Sequence, residues 1–302
     1  MTRADKAPVQ LSVIFTTYNS PRWLEKVLWG FAAQDYRDFE VLVADDGSGP
    51  ETRALVERIS AEGRLNLRHV WHEDQGFRKC AILNKAIVAA QGDYLVFTDG
   101  DCIPRADFLA VHAAQAERGR FLSGGYYKLP MATSEAIARE DVESGRAFDK
   151  AWLRQHGMPA SLKTLKLTAQ GRRARLLNAV TTTNPTFNGH NASAWREDVM
   201  AANGFDERLN WGGLDREFGE RLENAGIRGK QIRYSAICLH LDHARGYKKP
   251  ELVAYNRCVR DLVARHAVQR TPFGIEHFAD PHAQDFADML ARAGLDAGHA
   301  AG

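Results

Sequence analysis

Nowhere in this chain do 18 apolar residues run together, and Met1 to Gln10 contain no apolar stretch of the kind a secretion signal needs. Neither a membrane span nor a signal peptide is therefore expected. Cysteine is scarce and scattered: Cys80, Cys102, Cys238 and Cys258 form no Cys-x-x-Cys pair, which argues against a zinc site or a disulfide framework and fits a reducing, cytoplasmic compartment. Charge of one sign is lacking too. With 40 basic and 38 acidic residues the net charge is +2, so no global field favours nucleic acid, and none is expected as a partner. No Gly-x-Gly-x-x-Gly follows the first strand-like run and no Walker loop occurs, so neither a dinucleotide fold nor a P-loop is supported. The 302 residues show no internal repeat and no obvious linker, and suffice for one large α/β domain or two small ones.

What the chain does have is Tyr94-Leu95-Val96-Phe97-Thr98, an uncharged run that reads as a buried strand, followed at once by Asp99-Gly100-Asp101. Burying a carboxylate without a partner costs several kcal/mol, about the scale that forces a cation or hydrogen-bond donors into the site. A divalent metal carrying a diphosphate would satisfy both acids; a polar turn after a strand is the plainer alternative.

Around this stretch the patterning alternates. Leu11 to Asn19 is a β-rich run, and Ser20-Pro21 then offers a helix start with Trp23, Leu24, Val27, Leu28 and Phe31 at helical spacing. Strands are expected over 39–44 and 65–71, and helices over 52–59 and 81–90. The order β-α-β-α-β-α-β implies a doubly wound, mostly parallel sheet flanked by helices. Ligands of such sheets lie outside the carboxyl ends of the strands, where Thr16, Tyr18, Asp46, the Asp74-Gln75-Gly76 loop, Asp99 and Asp101 converge.

Further along, 131–180 mixes an acidic helical stretch with a basic run, and reads either as a solvated helical insertion or, over 160–177, as a peripheral contact for a membrane surface or anionic glycolipid. Trp211-Gly212-Gly213 precede an acidic helix start. Asp215 there is a candidate functional carboxylate or a helix cap, and Glu217 reads as structural. A strand over 232–239 ends in His240-Leu241-Asp242-His243, two imidazoles that can serve a metal or simply be hydrogen-bonded. A helix over 250–266 and a loosely packed helical tail complete the chain.

Together these residues resemble glycosyltransferase family 2, with its GT-A fold, from Leu11 to about Tyr247. Thr16 to Asn19, Asp45-Asp46-Gly47-Ser48 and the Asp99-Gly100-Asp101 motif carry the first half. Gly189, Asn191 and Ser193, then Gly204-Phe205-Asp206-Glu207, resemble a galactosyltransferase-type C-terminal module shared with chondroitin-polymerase-like enzymes. The resemblance implies a single GT-A domain over 1–270, comprising a nucleotide-binding half at 1–110, a helical insertion at 131–180 and an acceptor half at 181–248, with a tail at 271–302. It implies that Asp46 reads a uracil edge, that Thr16 and Tyr18 line the nucleoside pocket, and that Gly76, Arg78 and Asn84 approach nucleotide or diphosphate. Asp99 and Gly100 would lie against ribose or a metal-bound water. Asp101, His243 and, more weakly, His240 would hold Mn²⁺ or Mg²⁺; Asn191, Trp211, Gly212 and Gly213 would face substrate; and Asp215 would be the catalytic base. Two positions depart from the pattern: Leu214 replaces a common acid and Leu83 a common arginine, for which Arg78 or Lys79 would compensate. The implied activity is an inverting transfer from a nucleotide-sugar, expected to be a UDP-sugar, to a glycan or glycolipid hydroxyl in cell-envelope polysaccharide biosynthesis. A sugar-1-phosphate nucleotidyltransferase and a non-catalytic sugar-binding protein are the alternatives.

Overall fold

The computed structural model describes residues 9–243 and 249–295. Strands β1 (Leu11–Thr17), β2 (Phe39–Asp45), β3 (Leu67–Trp71) and β4 (Tyr94–Asp99) alternate with helices α1 (Pro21–Ala32), α2 (Pro50–Ala61) and α3 (Lys79–Ala89), as the periodicity predicts. Proline at the first position of α1 and α2 costs no hydrogen bond there and presets φ for a helix. Next come β5 (Cys102–Pro104), α4 (Phe108–Gln115), β6 (Arg120–Ser123) and β7 (Gly125–Lys128). Short helices α5 (Met131–Ala136), α6 (Arg139–Glu143), α7 (Lys150–Gln155), α8 (Leu165–Thr168) and α9 (Gly171–Val180) fill the expected insertion. The chain continues through β8 (Ala192–Trp195), α10 (Arg196–Ala201), α11 (Leu214–Asn224), β9 (Arg228–Gln231), β10 (Ile237–His240), α12 (Pro250–Arg265) and α13 (Ala283–Arg292).

The main sheet runs β3-β2-β1-β4-β8-β6-β9, and a small second sheet runs β5-β10-β7. The first four strands are parallel and β8 inserts antiparallel beside β4. Alternation along the strands divides the core in two. Leu11, Val13 and Phe15 pack with α1 on one face, while Ile14, Leu42, Leu95 and Phe97 pack with α3 and α11 on the other. Covered on both faces, β1 and β4 read as continuous apolar runs.

Ala192–Trp195 is a central strand although its small residues carry little β propensity; pairing to β4 and β6 decides its state. Two expectations need correction. The 131–143 stretch is two short helices rather than one, broken at Ile137 and Ala138, both with extended backbone. The tail is not loose where described, because Phe286, Met289 and Leu290 of α13 are buried in the α12 side of the core; residues 296–302 lie outside the described residues. No described helix is long and apolar enough to cross a membrane.

Candidate functional site

Parallel pairing of β1, β2 and β4 brings their carboxyl ends level: Thr16 pairs with Ala44 on one side and Asp99 on the other. Gly100 then turns beneath β1. Its N–H donates to the Thr16 carbonyl at 3.0 Å, and a Cβ there would lie 2.7 Å from that same oxygen, so no other residue fits without displacing the strand end.

The nucleoside side of the rim is cross-linked. Exposed Tyr18 donates its hydroxyl to Asp74 Oδ2 at 2.8 Å, and Gly76 N–H donates to Asp74 Oδ1 at 3.0 Å. Asp46 is buried, bonded to His72 Nε2 at 2.7 Å and to the Arg78 N–H at 3.0 Å. Burial raises its carboxyl above the ordinary range, while His72 and the Arg78 N–H pull the other way. The Arg78 guanidinium turns to Gln75 on the same loop.

At the centre stands Lys79, the first residue of α3, donating to Asp99 Oδ1 at 2.7 Å. Burial alone would push its ammonium down, but the carboxylates of Asp99, Asp215 and Asp101 hold it well above the ordinary lysine value. Burial likewise opposes ionisation of Asp99, and Lys79 overrides it, keeping that carboxyl below the ordinary range. Asp215 is the opposite case: burial raises its carboxyl, Lys79 only partly offsets this, and Asp99 adds to the rise. Asp215 sits in the first turn of α11, beneath Gly212 and Gly213, whose φ values of +106° and +110° favour glycine. Asn256 of α12 pins that loop by donating to the carbonyls of Asn210, Trp211 and Gly212. Asp215 packs against Gly189, whose backbone helps hold the carboxylate, yet its Oδ1 has no hydrogen-bond partner among the described residues.

The third edge is built by β10. Leu241 N–H donates to the Asp101 carbonyl at 2.9 Å, which draws the strand end over the acid. His243 Nε2 lies 3.1 Å and His240 Nε2 3.9 Å from Asp101 Oδ2. The Nδ1–H of His240 donates to the Leu241 carbonyl at 2.8 Å, leaving Nε2 as the lone-pair nitrogen facing Asp101. Donors bound to one ion at about 2.1 Å lie no more than about 4.2 Å apart, and each imidazole meets that limit against Asp101 Oδ2, so imidazole beside carboxylate here fits a divalent metal. The donor atoms that lie within 4.8 Å of one another are those of Asp101, Cys102 and His240; burial pushes the Cys102 thiol well above the ordinary range, which favours its neutral form in the metal-free site.

Two expected substrate residues turn inward. Asn191 is fully buried; its Nδ2 donates to the Gly125 and Ala236 carbonyls at 2.7 and 3.1 Å, and its Oδ1 meets His112 Nε2 at 3.0 Å. It therefore ties the two sheets together. Asn84 is also buried, with its Nδ2 on the Phe205 carbonyl and Glu207 and its Oδ1 on the Phe205 N–H, so it holds the 204–207 turn and not a diphosphate.

Sequence reasoning underrated Lys79 and left out His190 and Tyr126. A lysine at the first helical position opposes the helix dipole, so its presence there signals acids from elsewhere in the fold. His190 follows Gly189; burial pulls its imidazole down to about 4, despite Asp99 nearby. Tyr126, 41% exposed, stands edge-on to His190 with ring centroids 4.4 Å apart.

A model of the family described as glycosyl transferase family 2 matches residues 12–178. Validoxylamine A glucosyltransferase of Streptomyces hygroscopicus subsp. jinggangensis is 31% identical over 232 residues, covering 72% of this chain and 52% of that protein. Chondroitin synthase of Escherichia coli is 28% identical over 254 residues, 76% of this chain and 34% of that protein. The chain thus spans between a third and about half of these relatives' length. Among solved structures, S. aureus TarS 1-349 in complex with UDP-GlcNAc superposes with a TM-score of 0.58 at 18% identity, over 94% of this chain and 72% of that one. Mannosyltransferase PcManGT from Pyrobaculum calidifontis, in complex with GDP-Man and Mn²⁺, superposes with a TM-score of 0.56 at 21% identity, over 98% and 74%.

Proposed function

The chain belongs to glycosyltransferase family 2 and has the GT-A fold, and from that premise we propose that it moves a sugar, with inversion, from a UDP-sugar to a hydroxyl of a glycan or glycolipid acceptor. The observation that carries the reading is the buried Asp215 carboxylate, whose Oδ1 has no partner among the described residues while Lys79 links its field to the Asp99-Gly100-Asp101 turn. A buried acceptor atom without a donor points to a ligand group that supplies one, and an acceptor hydroxyl does so.

In this reading Tyr18 and Asp46 receive the base, with Thr16 beside them and Arg78 and Gly76 on the covering loop. Asp99 meets the ribose, held ionised by Lys79. Asp101, His243 and His240 would hold Mn²⁺ or Mg²⁺, which when bound supplies positive charge to the leaving diphosphate. Lys79 adds a fixed ammonium on the same side. Asp215 accepts the acceptor's proton as the new bond forms: burial raises its affinity for protons, which makes it a stronger base, and Lys79 offsets part of that rise. Trp211, Gly212 and Gly213 shape the wall over Asp215. One base and direct displacement give inversion. Similarity to proteins named for UDP-GlcNAc and for GDP-Man supports a nucleotide-sugar donor.

The test is calorimetric titration of UDP and GDP with and without Mn²⁺, on wild type, Asp101→Ala and Asp215→Asn. Metal-dependent UDP binding should vanish in Asp101→Ala and persist in Asp215→Asn. Once a donor is found by screening, Asp215→Asn should transfer sugar ~10²-fold more slowly or worse. Undiminished transfer in that variant would make Asp215 a helix cap.

A further inference from the structure

No acidic residue stands between Asp149 and Glu197, while the same stretch carries eight lysines and arginines. In a chain of net charge +2 this is a local field, and the structure concentrates it on α9. Only Ala174 of that helix is buried. At about 100° per residue, Arg172, Leu176, Ala179 and Val180 lie opposite Ala174, with Arg173 and Arg175 on the flanks. Leu176 and Val180 are each 64% exposed, and the three arginines make no ion pair among the described residues. Inward-lying Lys166 is drawn down to about 8, chiefly by burial and then by Arg233 and Lys163.

The helix is tied to the Tyr234-Ser235 turn through Asn178. Asn178 donates to Ser235 Oγ at 2.8 Å and accepts the Tyr234 N–H at 2.9 Å. Ser235 lies in the turn that leads into β10, five residues before His240. From this same C-terminal end of α9 the chain runs on to Gly189, which packs on Asp215.

We propose that α9 docks this protein on an anionic lipid bilayer, with Leu176 and Val180 entering the acyl boundary and Arg172, Arg173 and Arg175 on the headgroups. A soluble polyanion would take the arginines but has no use for an outward ridge of leucine and valine; a bilayer uses both. The placement suits an acceptor presented at the membrane surface, and goes beyond the transfer reading without depending on which sugar is moved.

The experiment is cosedimentation of the full chain with vesicles of phosphatidylcholine alone and of phosphatidylcholine with phosphatidylglycerol, in low and high salt, with UDP titration reporting the integrity of each variant. Wild type should bind the anionic vesicles, lose binding in high salt, and bind neutral vesicles weakly. Each arginine near the surface is worth about fivefold in partitioning, so the triple variant Arg172→Gln, Arg173→Gln, Arg175→Gln should bind on the order of a hundredfold more weakly. The double variant Leu176→Ser, Val180→Ser should also lose vesicle binding, with UDP binding retained in both. Absence of binding by wild type, or full binding by the Leu176 and Val180 variant, overturns the proposal. The second result would reduce the contact to headgroup electrostatics, with no entry of Leu176 and Val180 into the acyl boundary. Neither outcome touches the UDP titration on which the transferase reading rests.

Discussion

Replacing Lys79 with methionine removes one charge from the centre of the site while keeping the length of the side chain. In the wild type Lys79 pairs with Asp99 at 2.7 Å, with 21% and 26% of the two side chains exposed, and lies within the fields of Asp215 and Asp101. Removing one partner of a fully buried pair costs about 3–5 kcal/mol, because the remaining charge stays behind. Partial exposure screens the stranded carboxylate, and taking a cation off a helix N-terminus returns about 0.3–1 kcal/mol. The net loss should be about 2 kcal/mol near neutral pH, measured by urea unfolding.

The pH dependence separates this cause from lost packing. Asp99 in the wild type titrates below its ordinary range, so it contributes stability above an ordinary carboxylate value of about 4, and that contribution fades as pH falls through the lower folded value. In the variant Asp99 loses its cation, and Asp215, already raised by burial, loses its offset. Both then bind protons more readily folded than unfolded, which favours the folded variant as pH falls. The gap between wild type and Lys79→Met should therefore be widest at pH 7–8 and shrink toward pH 4.5. A gap constant across that range would refute the assignment of Lys79 as counter-charge to the acids.

Asn191→Ala strands the Gly125 and Ala236 carbonyls and the His112 imidazole; at about 1–3 kcal/mol for each buried group left unpaired, it should lose about 3 kcal/mol or more in urea unfolding. UDP affinity of the folded fraction should stay unchanged, and a stable variant with impaired ligand binding would restore Asn191 to the substrate site. His243→Ala removes the imidazole nearest Asp101 and should weaken Mn²⁺ binding about tenfold or more by calorimetry, with metal-free stability little altered; unchanged Mn²⁺ affinity would reduce His243 to an ion-pair partner.

Much of the fold was readable because the first half obeys local rules. Trp23, Leu24, Val27, Leu28 and Phe31 sit on one helical face, and β1, β2 and β4 carry apolar runs with abrupt polar ends, so the rim at their carboxyl ends follows from topology alone. The second half resists this treatment. Ala192–Trp195 and Arg228–Gln231 are four residues long and too polar or too small to announce themselves; partners distant in sequence make them strands.

Within the site, residue type and rim position were legible, but the direction of a side chain was not. Asn84 and Asn191 share the polarity of Asp99 and Asp101, yet both asparagines face inward and the acids do not. The difference follows from burial chemistry. A neutral amide has two donors and an acceptor that backbone groups can saturate, as Asn191 does between the sheets and Asn84 in the 204–207 turn. A carboxylate is acceptor-only and charged, so burying it demands a cation. Lys79 answers for Asp99, the two imidazoles face Asp101, and Asp215 keeps an oxygen with no described protein partner. Acids in excess of fixed cations at a strand rim thus mark the ligand-facing side, and asparagines beside them mark the supporting wall.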